Sequence, residues 1–109
     1  MGRDEAPLNA LLGRGAHYSG ELAFEGRVRL DGHFEGRIYT DDVLEIGEPG
    51  RMQGEVDAAR VIVAGTVDGK LVVRQRLVVE ATGTVHGEVE AKELEVHPGA
   101  TVRATITAG

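Results

Sequence analysis

The chain contains no cysteine and no tryptophan, and only three prolines and four aromatic residues among its 109 positions. Without cysteine there is no disulfide, no thiolate chemistry and no Cys-ligated zinc. No apolar run approaches the roughly 18 residues of a membrane-spanning helix. The N-terminus lacks a basic stretch followed by a long apolar one, so no secretory signal is expected. Positive charge is also short: 12 basic side chains against 18 acidic ones leave a net charge of −6 at pH 7. That balance argues against a broad nucleic-acid-binding surface. A single domain of this length can bury about two-thirds of its unfolded surface. With so few aromatics, its core has to come from small branched side chains, and Val, Ile and Leu supply 27 residues.

What the chain has in excess is glycine, with 16 residues, about twice the usual share of ~7%. The glycines show no collagen-like period of three. They fall instead in pairs four apart: Gly32/Gly36, Gly50/Gly54, Gly65/Gly69 and Gly83/Gly87. Each pair brackets one apolar residue and precedes another, as in GHFEGRI (32–38), GRMQGEV (50–56), GTVDGKL (65–71) and GTVHGEV (83–89). VRATI (102–106) reads as a last copy with Ala104 at the second glycine, and FEGRV (24–28) as an early half-copy. The second positions, 36, 54, 69, 87 and 104, step by 18, 15, 18 and 17 residues.

A second short strand separates the copies: Val28–Leu30, Leu44–Ile46, Val61–Val63, Leu77–Val79 and Leu94–Val96. The loops that follow come in two sizes differing by two residues, which preserves strand parity. GEPG (47–50) and HPGA (97–100) supply turn chemistry at the longer ones. By alternation, Gly36 should share the inner face with Phe34 and Ile38, filling a place where two walls converge. A period near 17 with two or three short strands per unit predicts a β-solenoid, in which each coil lies about 4.8 Å above the last and only the stack buries the apolar face. A β-sandwich also spaces its turns regularly, but it does not explain one five-residue motif recurring four times. The residue after the second glycine reads Arg37, Glu55, Lys70, Glu88, the alternation of sign expected of neighbours up a ladder.

These segments resemble the bactofilins, the bacterial cytoskeletal proteins. The carriers are LAFEGRVRLDGHFEGRI (22–38), LEIGEPGRMQGEV (44–56), VIVAGTVDGKL (61–71) and GTVHGEV (83–89), and the similarity covers residues 18–106. The resemblance implies an all-β, single-domain right-handed parallel β-helix of about five to six short coils, with a flexible N-terminal tail over 1–19, the β-helix over 20–106 and a short C-terminal end over 107–109. It implies filaments formed without nucleotide through end-to-end contact of the helices. It further implies a cytoplasmic scaffold role in cell shape, wall synthesis or the positioning of other proteins, often at the membrane. The last coil departs from the pattern in carrying Val102 where many members look aromatic.

End contact also has a physical basis of its own. A solenoid has two open ends, each a ring of unpaired backbone groups over an apolar core, and monomeric solenoids cover them. Here the last coil reaches Ile106, three residues before the end, so no C-terminal cap is expected. Leu94, Val96, Val102 and Ile106 should floor one end, and Leu22, Phe24 and Val28 the other. Like ends meeting would give an isologous contact, head-to-tail stacking a heterologous one; the resemblance favours the first.

Other constellations carry less. Leu8, Leu11 and Leu12 lie at helical i, i+3, i+4 spacing and form a candidate membrane contact, too weak for one molecule but multiplied along a filament. Ile62, Val72 and Val78 fall outward by parity and form a candidate lateral apolar face. His17, His33, His86 and His97 show no metal-ligand spacing, so neither metal nor cofactor is expected. Apolar residues at Val61, Val67, Val73, Val79 and Val85 recur every six, as in left-handed hexapeptide acyltransferases, where His86 would serve as general base. The uneven steps of 15 and 17 break that phase. A third reading is an adaptor binding a partner along one ladder face. The expected partner is the chain itself; client proteins are not legible.

Overall fold

The computed structural model describes residues 8–108. Among them it forms nine strands and no helix: β1 (Leu8–Leu12), β2 (His17–Phe24), β3 (Arg27–Leu30), β4 (His33–Thr40), β5 (Val43–Ile46), β6 (Arg51–Val63), β7 (Thr66–Val79), β8 (Thr84–Val96) and β9 (Thr101–Ala108). All pairing is parallel. β1 lies on β3 and β3 on β5; β2 lies on β4; β4 and β5 both lie on β6; then β7, β8 and β9 follow. The result is a β-solenoid of about six turns.

From β4 onward the expected register is present residue for residue. Phe34, Met52, Val67, Val85 and Val102 stack in one column, and Ile38, Val56, Leu71, Val89 and Ile106 in a second. Val28, Leu44, Val61, Leu77 and Leu94 form a third, and Leu12, Leu30, Ile46, Val63, Val79 and Val96 a fourth. Away from the two ends these side chains are almost wholly buried and make one continuous core. Thr40 is the buried polar residue of that core. Its hydroxyl donates to the Gly26 carbonyl at 2.5 Å and accepts from the Asp42 N–H at 3.3 Å, so both of its capacities are used.

The glycines of the motif do something other than fill the interior. Phe34 and Ile38 are buried, but Gly36 is exposed with Glu35 and Arg37 on either side of it. The strand therefore bends at the glycine, and the two flanking apolar residues face the core from different walls. The bend uses left-handed backbone: Gly54 has φ +125°, and its stacked equivalents have the same hand. A Cβ on Gly54 would also sit 1.9 Å from the carbonyl oxygen of Gly36 in the preceding coil. Inward crowding is thus not the reason for glycine; bend and axial stacking are. At the opposite corner, a Cβ on Gly65 would meet the carbonyl oxygens of Gly47 and Gly50 at 2.3 and 2.4 Å.

The longer corners close as turns: Gly50 N–H donates to Gly47 at 2.8 Å, Gly83 to Glu80 at 2.7 Å and Ala100 to His97 at 3.1 Å. On the outer face Glu21, Arg37, Glu55, Lys70 and Glu88 stack in that order, with Arg37 Nη2 2.9 Å from Glu55 Oε1. Both partners are about half exposed, and such a pair contributes at most about 1 kcal/mol.

Two glycine substitutions separate bend from stacking. Gly20 also has φ +119°, but its Cβ direction is open, so Gly20→Ala should cost about 1–2 kcal/mol of backbone strain. Gly54→Ala adds the clash with the coil below and should cost at least about 3 kcal/mol. Urea unfolding measures both; equal losses would contradict the stacking role.

Candidate functional site at the solenoid ends

His86 lies between Asp68 and Arg103 in its ladder, and its side chain makes no hydrogen bond among the described residues. Those residues hold no cluster of three or more metal-ligating side chains. Arg29, hydrogen-bonded through Nε to both Asp31 oxygens at 3.0 and 3.1 Å, is held above its ordinary pKa by that contact and stays a permanent cation. Among the described residues the two ends depart from a closed, satisfied surface.

At the C-terminal end, β9 pairs only with β8, and the last stretch of β8, Glu93–Val96, has no strand above it among the described residues. Both edges therefore present free backbone donors and acceptors. Beneath them Val96 is 45% exposed and Ile106 40%, whereas Leu94, Ala100, Val102 and Ala104 are partly buried against the core. The four residues expected at this end are brought together. Ala104 takes no positive φ, so the glycine column stops one coil short of the end.

At the N-terminal end, among the described residues, β1 pairs only with β3 and β2 only with β4. The floor consists of Leu12, 8% exposed, with Tyr18, Leu22 and Phe24 partly buried beside it. Leu22 and Phe24 are where the sequence places them. Val28 is not: it is fully buried, with β1 lying over it through the pair Ala10↔Val28. The error has a physical source. FEGRV is not the early copy of the motif; Tyr18-Ser19-Gly20-Glu21-Leu22 is, stacked in register on Phe34-Glu35-Gly36-Arg37-Ile38. Its apolar-x-Gly-x-apolar pattern was available in the sequence. Gly26 instead sits at a corner, its N–H donating to Asp41 Oδ1 at 2.9 Å.

The same coil displaces the expected tail. Residues 1–7 and 109 lie outside the described residues, but β1 and the start of β2 fall inside the 1–19 segment, as strands of the solenoid. Strand geometry also dissolves the leucine cluster. Leu12 points into the core while Leu11 points out, 58% exposed; the side chain of Leu8 lies outside the described residues. The lateral set separates too. Ile62 and Val78 are register partners, but Val72 stands in another column between Asp57 and Glu90. All three are only partly buried, and they form no contiguous face.

One contact at the N-terminal end is absent from the sequence reading. His17 and His33 are register partners, joined by an imidazole–imidazole hydrogen bond of 2.5 Å with the rings edge to face at 4.3 Å. His33 Nε2 is also 3.0 Å from Gln53 Oε1. Sixteen residues separate the two histidines, one coil length, but only the register of β2 on β4 makes that visible.

Comparison with known proteins agrees with this geometry. The family model of the bactofilins, described as polymer-forming cytoskeletal proteins, matches residues 10–107. Among curated proteins, Bactofilin BacO of Myxococcus xanthus (strain DK1622) is 20% identical over 98 residues, covering 90% of this chain and 78% of that protein. No solved structure matches the chain.

Adjacent leucines test the terminal coil. Leu12→Ser should lower stability by about 2–3 kcal/mol, whereas Leu11→Ser should stay within about 0.5 kcal/mol. Equal effects in thermal unfolding would contradict a strand with one leucine in and one out.

Proposed function

The chain belongs to the bactofilin family, a family of polymer-forming cytoskeletal proteins, and from that premise we propose that it assembles without nucleotide into filaments through contact of its solenoid ends. The observation that carries this reading is that both ends are bare among the described residues. Each has unpaired strand edges above apolar side chains that are only partly covered. Edges of this kind template pairing, and a second end can satisfy both the backbone groups and the apolar floor at once. The interface residues are Leu12, Tyr18, Leu22 and Phe24 at one end and Leu94, Val96, Val102 and Ile106 at the other.

The energetics fit reversible assembly. Complete burial of an exposed Val or Ile side chain contributes about 1.5–3 kcal/mol, and these side chains are already half covered. Their gain has to offset the cost of association, so backbone pairing between ends supplies the remainder and assembly depends on concentration. No phosphate-binding loop is present in the sequence, consistent with assembly that needs no nucleotide. Like-to-like contact gives a filament without polarity, as the resemblance implies. Such a filament would serve as a cytoplasmic scaffold for proteins of cell shape or wall synthesis. Its contact with a membrane would rest on Leu11, repeated along the polymer, because Leu12 belongs to the core.

Ile106→Arg places a charge on the C-terminal floor at a position already 40% exposed, which spares the fold. Val102 is more enclosed and makes a less clean variant. The variant should lose high-speed pelleting and negative-stain filaments while keeping its circular dichroism, and should remain a dimer through its intact N-terminal ends. Undiminished filaments would overturn end contact; a monomer would show head-to-tail stacking instead.

A further inference from the structure

One corner of the solenoid carries a charge pattern that ion pairs among the described residues leave largely unneutralised, Arg74 being paired with Asp57. Where the β4, β6, β7 and β8 walls turn, each coil inserts one or two residues between paired positions. In successive coils these are Glu25-Gly26, Asp41-Asp42, Ala59, Arg74-Gln75 and Lys92. The column begins acidic, passes through a small neutral residue at its middle coil, and ends basic. Ala59 has two coils of the column on each side, so Glu25 and Lys92 stand at equal heights from it, about 10 Å below and above.

The rest of the surface handles charge differently. Arg37 pairs with Glu55, Arg74 with Asp57, and Arg76 with Glu93 and Glu95, all between neighbouring coils. At the corner column, Glu25, Asp42 and Lys92 are exposed, and their side chains make no ion pair or hydrogen bond among the described residues. Asp41 accepts only the Gly26 N–H. Arg60, beside Ala59, donates from Nε to Gln75 Oε1 at 3.1 Å and meets no carboxylate. Lys92 has Glu90 and Glu93 along its strand, but these occupy the adjoining walls, and Glu93 is held by Arg76.

We propose that this corner is a lateral contact surface for a second copy of the chain, lying antiparallel and related by a two-fold axis at Ala59. That symmetry sets Glu25 of each copy against Lys92 of the other, and Asp41 and Asp42 against Arg74 and Gln75, while Arg60 lies level with its own equivalent. Ala59 meets its own equivalent at the axis, where the absence of a long side chain allows close approach. A parallel copy would set like charge on like and is repelled. One corner is a narrow contact, weak for a single pair of molecules and strengthened when filaments display it repeatedly. The inference rests on the filament reading for that avidity only.

Charge reversal with a compensating swap tests it. Low-speed pelleting reads bundles and high-speed pelleting reads filaments. Glu25→Lys and Lys92→Glu should each reduce the low-speed pellet at least about fivefold with the high-speed pellet unchanged, and wild-type bundling should fall with added salt. The double variant Glu25→Lys/Lys92→Glu should restore bundling. Single reversals without effect, or a double variant that stays unbundled, overturn the proposal. A second arm does not need filaments. The chain has no cysteine of its own, so Ala59→Cys in the Ile106→Arg background carries one thiol. At high protein concentration under mild oxidation it should form a disulfide dimer at least about fivefold faster than Glu25→Cys in the same background. Equal rates, or faster cross-linking of Glu25→Cys, overturn the two-fold arrangement whether or not filaments form.

Discussion

The constraint on which everything else depends is in-register parallel stacking. Each residue sits one strand spacing above its equivalent in the coil before, about 4.8 Å away, so every position must tolerate its own kind as a neighbour. That single condition sorts the sequence. Val, Leu and Ile stack well on themselves and form the inner columns. Glycine stacks where a left-handed bend brings its backbone against the carbonyl below. Ionised side chains stack badly on like charge, and the outer column from Glu21 to Glu88 alternates in sign. The scarcity of aromatics follows, because a narrow interior holds Phe34 in one coil and Met52 and Val67 in the next two.

A structure built by repetition has no internal reason to stop. Each coil is completed by the coils on either side, and the terminal ones lack a neighbour. Here β1 and β2 at one end, and β9 with Glu93–Val96 at the other, carry unpaired edges among the described residues. The interaction that holds the monomer together is therefore the one left unsatisfied at its ends. On the proposed reading, polymerisation extends the fold rather than adding a separate activity. Ala104, which ends the glycine column, marks the last coil as different from those inside.

Much of this was legible in the letters. The recurrence of apolar-x-Gly-x-apolar at steps of 15 to 18 identified a solenoid, its register and the residues of the C-terminal floor, because stacking turns sequence period directly into spatial neighbourhood. A local pattern misleads where it is taken without the stack. Leu8, Leu11 and Leu12 match a helix face by spacing, yet pairing of β1 with β3 makes them a strand. Strict alternation puts the glycine inside, but its positive φ breaks that alternation. Val28 looks terminal in the sequence because the true first copy, around Gly20, begins with tyrosine rather than a small aliphatic. The His17–His33 contact and the charged corner needed the actual register, since insertions of one or two residues blur the spacing along the chain.

The central claim, that solenoid axes run along the filament and meet end to end, is tested most directly by X-ray diffraction from aligned filaments. The strand spacing of about 4.8 Å should then appear as a reflection on the meridian, parallel to the filament axis. The same spacing on the equator would mean that the solenoids lie across the filament, and end contact would not be what builds it.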